Sequence, residues 1–273
     1  MRPVDAVEVI QVGEILLKEA QLDGRWPILL RHARTMLSRT WATPRPIYCW
    51  VIDHPNGTIL VDTGPRPTDD WWYPRHHPYY PLAYRTRVNP EQRLEAGLSE
   101  LDLAIDEIDA IILTHCHPDH VGGLGRIPEP TVYIEEGEDR YTRSMRGRFW
   151  GVDRSLAPPK YRLFPVALVD AGIGPFDRSH RFKNFQGISL IPTPGHTANH
   201  CSVVVEGEGP TVLLAADACY HLGQLETGRA DGVATRPGAG HETLERLARW
   251  RDDDDLIILP SHDPSGPRRL SKA

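Results

Sequence analysis

The stretch Thr114–Gly123 reads THCHPDHVGG and directly follows a short apolar run. Within six residues it holds four candidate metal ligands, which are His115, His117, Asp119 and His120. Imidazole nitrogens and carboxylate oxygens suit zinc and similar divalent ions. Because alternate side chains of an extended segment point the same way, His115 and His117 can face one ion. Asp119 and His120 lie beyond the bend and can face a second ion, so this stretch predicts a loop that serves two metals.

Three further candidate ligands stand elsewhere in the chain, each just past a run of apolar residues: His196, Asp217 and His262. A polar surface loop rich in histidine is the alternative explanation of the first stretch. Side chains at strand ends are held by rigid elements, as a metal site requires, and this favours the metal centre. Gly122 and Gly123 are expected to let the loop turn sharply without Cβ clashes.

Apolar runs separated by turn residues predict an α/β fold of stacked sheets covered by helices. The predicted strands cover residues 47–53, 58–62, 110–113, 131–134, 187–191, 201–205, 211–215 and 256–259, and the predicted helices cover 90–101, 135–146 and 241–250. No internal repeat or long linker is visible, so residues 1–273 are expected to form one domain. Segments 65–90 and 147–186 show no clear period and are predicted to be loops, as a lid or insertions near the site.

Composition narrows the classes of protein. Hydrophobic residues make up 40% and charged residues 25% of the chain, which is an ordinary globular balance. The net charge is −6 and there is no basic stripe, so nucleic-acid binding is not expected. The sequence lacks the long apolar segment of a signal peptide or membrane span. Its four cysteines form no CxxC pair, and a reducing cytoplasm is therefore the expected location.

The order HxHxDH, then a lone His, a lone Asp and a last His resembles the metallo-β-lactamase superfamily, an αββα sandwich with two metals at one edge. The resemblance runs from the hairpin at 47–64 to His262 and implies that Asp217 bridges the two ions. The remaining ligands would divide into His115, His117 and His196 for one ion and Asp119, His120 and His262 for the other. Asp62, in ILVDTG, matches an aspartate that supports the ligands, although a turn-capping Asp is the alternative.

This ligand set implies two divalent metal ions, with zinc the expected element, although cobalt, manganese or iron would also accept these ligands. Two such ions lower the pKa of a shared water from far above neutral towards about 7. The expected reaction is therefore attack of the bridging hydroxide on a carbonyl, with the metals stabilising the oxyanion.

The bridging Asp217 argues against a true β-lactamase, since those enzymes lack it. Tyr220 stands three residues later and, with TPGHTANHCS at 193–202, resembles the N-acyl-homoserine lactone lactonases of quorum quenching. The resemblance implies that Tyr220 hydrogen-bonds the substrate and that Asp119 shuttles the proton to the leaving alkoxide. A half-buried core tyrosine is the alternative for Tyr220. The expected partner is thus a small-molecule lactone or ester.

Departures from the lactonase pattern leave the substrate open. Pro118 replaces a usual aromatic, and Cys116, expected to be a small buried filler, replaces a usual Leu. A glyoxalase II-like thioesterase or another carboxylic ester hydrolase of the same fold is the alternative function. The aromatic segment 71–80 suits either a pocket wall or the interface of a homodimer, and its His76 and His77 are expected on the surface or lid.

Overall fold

The computed structural model describes residues 6–22, 24, 27–68, 80–149, 162–253 and 255–272. Twelve strands lie in this part of the chain. They are β1 (Ala6–Leu17), β2 (Arg45–His54), β3 (Gly57–Val61), β4 (Tyr84–Arg87), β5 (Ile108–Ile112), β6 (Thr131–Glu135), β7 (Arg162–Val166), β8 (His180–Arg181), β9 (Ile188–Pro192), β10 (Cys201–Val205), β11 (Thr211–Ala216) and β12 (Leu256–Pro260).

Ten α-helices connect or flank these strands in the described ranges. They are α1 (Glu19–Leu22), α2 (Ile28–Leu37), α3 (Tyr80–Ala83), α4 (Leu94–Ser99), α5 (Pro118–Val121), α6 (Glu136–Thr142), α7 (Met145–Phe149), α8 (Gly223–Thr227), α9 (Pro237–Asp253) and α10 (Gly266–Leu270). None of the described helices combines the length and apolar composition that crossing a membrane would take.

The strands form two mixed sheets. Seven strands make the first sheet in the order β4-β1-β2-β3-β5-β6-β7, and five make the second in the order β12-β11-β10-β9-β8. In the first sheet β3, β5, β6 and β7 run parallel to one another, and in the second β11 runs parallel to β12. The predicted αββα sandwich of the metallo-β-lactamase type is confirmed.

Three apolar clusters separate the four layers. The central one joins the two sheets, with Trp50 and Ile59 of the first sheet packed in one cluster with Leu190 and Leu214 of the second. A second cluster lies on the other face of the first sheet and includes residues of α4, and a third packs the second sheet against α9. Fully burying one such large side chain contributes about 1.5–3 kcal/mol, so the layers are held mainly by apolar burial.

The predicted strands are all present, but two sequence-based assignments need correction. The loop expected at 65–90 is wrong for residues 80–87, which form α3 and edge strand β4, and residues 69–79 lie outside the described residues. The irregular segment expected at 147–186 contains α7, edge strand β7 and short strand β8, while residues 150–161 are outside the described part. Edge strands pair on one side only, so their sequences need not carry the strong apolar pattern of central strands.

Two elements in the N-terminal region were not predicted. Strand β1 pairs with β2 over nine positions, and its sequence AVEVIQVGEILL alternates locally where Gln11 stands between buried Ile10 and Val12. That alternation was the available signal. Helix α2 begins directly after Pro27 and ends at Leu37. The helix predicted at 90–101 is also interrupted, because Arg93 has extended backbone angles between a 3-10 turn and α4.

The glycine pair after the histidine-rich stretch packs directly against the neighbouring loop. Both residues have ordinary right-handed helical angles, with φ of −63° at Gly122 and −83° at Gly123, so no unusual turn conformation is required. A Cβ on Gly123 would lie 2.1 Å from the Thr63 carbonyl oxygen, and one on Gly122 would lie 2.3 Å from the Arg66 nitrogen. Glycine is therefore needed at these two positions because two backbones pack closely there, and not because the loop turns sharply.

We predict that Gly123→Ala lowers the free energy of unfolding by about 1–3 kcal/mol, because a backbone carbonyl cannot move aside cheaply. The control is Gly238→Ala, where a Cβ meets no heavy atom within 4 Å. That exposed helical substitution should be neutral or stabilise by up to about 1 kcal/mol. Urea unfolding of both variants measures the difference, and equal stability of the two would contradict the packing argument.

Candidate metal centre

Five strands deliver polar side chains from their carboxyl ends to one edge of the sandwich. Asp62 follows β3, the histidine-rich stretch follows β5, and the later candidates follow β9, β11 and β12. Backbone hydrogen bonds hold this edge together. The Cys201 amide at the start of β10 donates to the Thr114 carbonyl after β5 at 3.0 Å, between the sheets, and the Ser261 amide donates to the Ala216 carbonyl at 3.1 Å, within the second sheet. The rigid strand ends therefore bring together side chains that are far apart in sequence.

The first group of side chains contains three imidazoles. His115 Nε2 lies 3.0 Å from His117 Nδ1, which in turn lies 2.8 Å from His196 Nε2. His115 and His196 are buried and His117 is partly so. The structure brings the nitrogen atoms of these three histidines together around one point, in the grouping that was predicted.

The second group joins two residues of the same loop to one residue after each of two other strands: Asp119, His120, Asp217 and His262. His262 Nε2 lies 3.4 Å from an Asp119 oxygen and 3.2 Å from Asp217 Oδ1. His120 Nε2 lies 3.6 Å and 3.4 Å from the same two oxygens. All four side chains are buried, so their polar atoms cannot be satisfied by bulk water.

Asp217 touches both groups. Its Oδ1 faces His120 and His262, while its Oδ2 lies 3.3 Å from His196 Nε2. The residue follows Ala216, which has a positive φ of 48°, an uncommon conformation for a residue with a side chain. This strained backbone turns the carboxylate from the end of β11 to the space between the two groups.

The donor atoms fit a metal ion by two tests. A tetrahedral zinc site with bonds of about 2.0–2.1 Å separates its ligand atoms by about 3.3 Å, close to the 2.8–3.6 Å spacings seen in the two groups. In addition, His120 Nε2, His262 Nε2 and Asp217 Oδ1 are buried without a hydrogen-bond partner among the described residues. Buried polar atoms left unpaired in this way are costly, and a shared cation would satisfy all three at once.

Electrostatics differ between the two groups. Burial and the surrounding imidazoles hold the pKa of His115 well below its ordinary range, and burial with a neighbouring imidazole lowers the pKa of His117 to about 3. Both rings therefore have free lone pairs at neutral pH. Burial also disfavours charge on His120 and His262, but nearby carboxylates, chiefly Asp217, raise the pKa of His120 well above its usual value and that of His262 to about 9. The carboxylates of the second group thus favour positive charge at this position, as a proton or as a cation.

Asp62 supports the centre from behind, as the resemblance implied. Its Oδ2 lies 2.7 Å from His120 Nδ1, and its two oxygens accept hydrogen bonds from the amide and hydroxyl of Thr114. Asp62 has a positive φ of 59°, so a second strained residue stands at a strand end beside the site. The contact fixes the His120 ring so that Nε2 faces the second group.

Three supporting residues were not singled out from the sequence. Asp231 accepts a hydrogen bond from His196 Nδ1 at 3.1 Å, and its carboxylate outweighs burial to raise the pKa of His196. His200 accepts the Asp217 amide with Nε2, which leaves its Nδ1 proton for the Thr193 hydroxyl. These contacts orient ligands, but neither stands in a recognisable spacing, so only the fold identifies them.

The third is Glu138, which is fully buried at 0% exposure. Its Oε1 accepts the Cys116 amide at 3.3 Å and its Oε2 accepts the Thr197 hydroxyl at 3.1 Å, so it joins the two loops that carry the first group. Burial raises the pKa of Glu138 to about 7, although both hydrogen bonds act in the opposite direction. Cys116 itself is buried in the core, as expected for a small filler.

A partly open cavity lies beside the two groups. It is lined by His117, Asp119, His196 and Asp217 together with Ile15, Gln21, Tyr80, Tyr84, Tyr220 and Val233. Tyr220 is only 2% exposed and packs in the core, yet its ring also lies 5.7 Å from His196 and 5.6 Å from His262. Tyr80, at the end of the aromatic segment, contributes to this wall, while His76 and His77 fall outside the described residues.

Comparison with known proteins identifies the class. Residues 42–262 match the model of the metallo-beta-lactamase superfamily, and the chain belongs to that family. It is a metal-dependent hydrolase, and the His and Asp side chains described above are its candidate metal site.

Relatives and solved structures agree with this assignment. A probable metallo-hydrolase of Mycobacterium tuberculosis is 24% identical over 263 residues, covering 87% of this chain and 81% of the relative. The N-acyl homoserine lactonase AttM of Rhizobium radiobacter is 23% identical over 242 residues, covering 84% and 86%. A crystal structure of a Bacillus thuringiensis AiiA mutant with N-decanoyl-L-homoserine bound superposes with a TM-score of 0.75 at 20% identity, covering 97% of this chain and 96% of that one. At this identity the structural match shows the fold alone.

We predict that Glu138 makes stability fall as pH rises from 4.5 to about 7. In that window the unfolded chain has lost the Glu138 proton while the folded chain retains it, so folding is favoured most below pH 4.5. Urea unfolding of chelator-treated protein at pH 5 and pH 8 should show a loss that Glu138→Gln reduces by up to about 3 kcal/mol. Glu136→Gln, a substitution at a half-buried position on the same helix, should leave the loss unchanged. Parallel curves for all three proteins would contradict the prediction.

Proposed function

We propose that this chain is a two-metal hydrolase that adds water across a lactone ester, with N-acyl-homoserine lactones as its substrates. Relatives named as N-acyl homoserine lactonases align over most of the chain, which supports this choice. The observation that carries the proposal is that Tyr220 lines one cavity with four of the candidate ligands, His117, Asp119, His196 and Asp217. This proximity supports a role for the Tyr220 hydroxyl as a donor to an ester carbonyl at the metal site.

The proposed ligands of the first ion are His115, His117 and His196, and those of the second are Asp119, His120 and His262, with Asp217 shared. Zinc is the proposed element, because histidine and carboxylate ligands without thiolates match hydrolytic zinc sites. Two divalent ions bound there would lower the pKa of water towards about 7 and polarise the carbonyl.

The chain's own side chains complete the chemistry. Tyr220 would donate its hydroxyl proton to the carbonyl or ring oxygen of the substrate, since burial raises the pKa of the phenol well above 10 and keeps it protonated. Asp119 lines the cavity and would carry a proton from the attacking water to the leaving alkoxide. The product is a ring-opened hydroxy acid, which accounts for every atom of the lactone and the water.

The cavity favours an uncharged acyl substrate. Apart from the candidate centre, its described lining consists of Ile15, Val233, three tyrosines and one glutamine, without a Lys or Arg side chain. A phosphodiester carries a charge that basic side chains usually contact, so it fits this wall less well than a lactone or ester does.

Hydrolysis of acyl-homoserine lactones would give the protein a quorum-quenching activity. The cytoplasmic location, the single domain, the homodimer and the lid or insert role of segments 65–90 and 147–186 stay predictions.

We predict that His117→Ala loses bound metal and lowers lactone turnover by more than about 100-fold, since removing a ligand costs more than removing a supporting contact. Its control is His241→Ala, because that ring is exposed on α9 and outside the cavity lining. Metal content by elemental analysis and kcat/KM report the result. Full activity of His117→Ala after metal removal would contradict the proposed metal-dependent mechanism.

A substrate panel decides the reaction class. We expect metal-loaded protein to turn over acyl-homoserine lactones faster than a matched thioester or phosphodiester, with activity lost on chelation and restored by zinc. Hydrolysis at the carbonyl of a strained or activated ester needs only the Tyr220 hydroxyl and the two proposed metal ions. Faster turnover of hydroxy-acid thioesters would instead assign a glyoxalase II-like thioesterase.

A further inference from the structure

The N-terminal segment supplies one polar residue to the cavity. Gln21 lies on α1, outside the region 42–262 that matches the superfamily, and only 3% of it is exposed. It lines the cavity beside Asp119 and Tyr220. A residue at this position that determines substrate selectivity would therefore lie outside the hydrolytic centre that the superfamily shares.

The backbone of Gln21 is fixed to the loop that supports the centre. Its carbonyl accepts the Gly232 amide at 2.6 Å, and the Gly24 amide donates to Ala230 at 3.2 Å. The same loop carries Asp231, which orients His196. The position of Gln21 relative to the candidate ligands is thus set by short backbone contacts.

The side-chain amide of Gln21 faces two ways. Its Nε2 donates to the Tyr220 hydroxyl oxygen at 3.4 Å, so that oxygen acts as acceptor and its own proton can be directed to a substrate. Its Oε1 is buried and has no hydrogen-bond partner among the described residues. The opposite orientation of the amide would let Oε1 take the Tyr220 proton, which conflicts with the donor role proposed for Tyr220.

A buried acceptor without a partner is costly, and a ligand that brings a donor removes that cost. The cavity already accommodates an ester carbonyl at Tyr220 under the proposed function. A second group on the same substrate, within reach of Gln21, would have to carry an N–H. An amide attached next to a lactone ring provides this chemistry.

We propose that Gln21 selects lactones that carry an amide N–H beside the ring, with Oε1 accepting that N–H while Nε2 positions the Tyr220 hydroxyl. This inference rests on the proposed lactonase function and assigns the selectivity to a residue outside the matched region. Gln21 acts as a substrate contact through one atom and as a positioning residue through the other.

The test compares Gln21→Met with wild type on two substrates, an N-acyl-homoserine lactone and an alkyl-γ-lactone of equal length without the amide. We expect the ratio of their kcat/KM values to fall by about 10- to 100-fold in the variant, through a higher KM for the amide substrate. Gln11→Met is the matched control, because the Gln11 side chain bonds the Gly13 carbonyl and is outside the cavity lining. Metal content and thermal unfolding verify that Gln21→Met is folded and loaded.

A Tyr220→Phe background separates the two roles. There Gln21→Met should still lower the ratio, while its effect on the alkyl lactone should disappear. An unchanged ratio in the Gln21→Met single variant, or an equal loss on both substrates, overturns amide selection. Wild type that hydrolyses only the alkyl lactone overturns this inference and the proposed acyl-homoserine lactone substrate but leaves a lactonase, whereas wild type that hydrolyses neither overturns the proposed lactonase function altogether.

Discussion

Seven side chains, six buried and one partly buried, bring neighbouring nitrogen and oxygen atoms to 2.8–3.6 Å from each other at one edge of the sandwich, and the rest of the site is arranged around this crowding. Burying imidazole lone pairs and carboxylates away from water costs free energy unless cations or protons lie where these groups converge. The unpaired atoms of His120, His262 and Asp217 show where that need is greatest. The candidate centre is therefore held by the scaffold and not by attraction among its own side chains.

The scaffold supplies that rigidity in several layers. Central strands buried on both faces place their carboxyl ends together, and hydrogen bonds between strand ends set the spacing of the loops. Asp62 and Ala216 accept strained backbone angles so that side chains point into the centre. Glu138 then links the loops of the first group through two hydrogen bonds at the cost of burying a carboxyl. Each of these features lowers the stability of the fold while it fixes the geometry of the site, as is common at functional sites.

The centre and the cavity wall come from different parts of the chain. The candidate ligands belong to the region that matches the superfamily, whereas Ile15 and Gln21 come from the N-terminal segment that precedes it. Tyr80 and Tyr84 come from the edge of the first sheet, next to the undescribed residues 69–79. The N-terminal segment thus adds an apolar and a polar side chain to the wall beside the candidate ligands.

The sequence by itself determined the candidate ligands, because His115, His117, Asp119 and His120 are adjacent and the others directly follow apolar strands. The same local signals identified the central strands other than β1. Only the tertiary structure decided the supporting contacts of Asp231, Glu138 and Gln21, the edge strands at 84–87 and 162–166, and the cavity wall. The physical reason is range: a ligand loop and a buried strand carry their pattern in consecutive residues, whereas a supporting hydrogen bond joins residues up to about two hundred positions apart, as Gln21 and Tyr220 do.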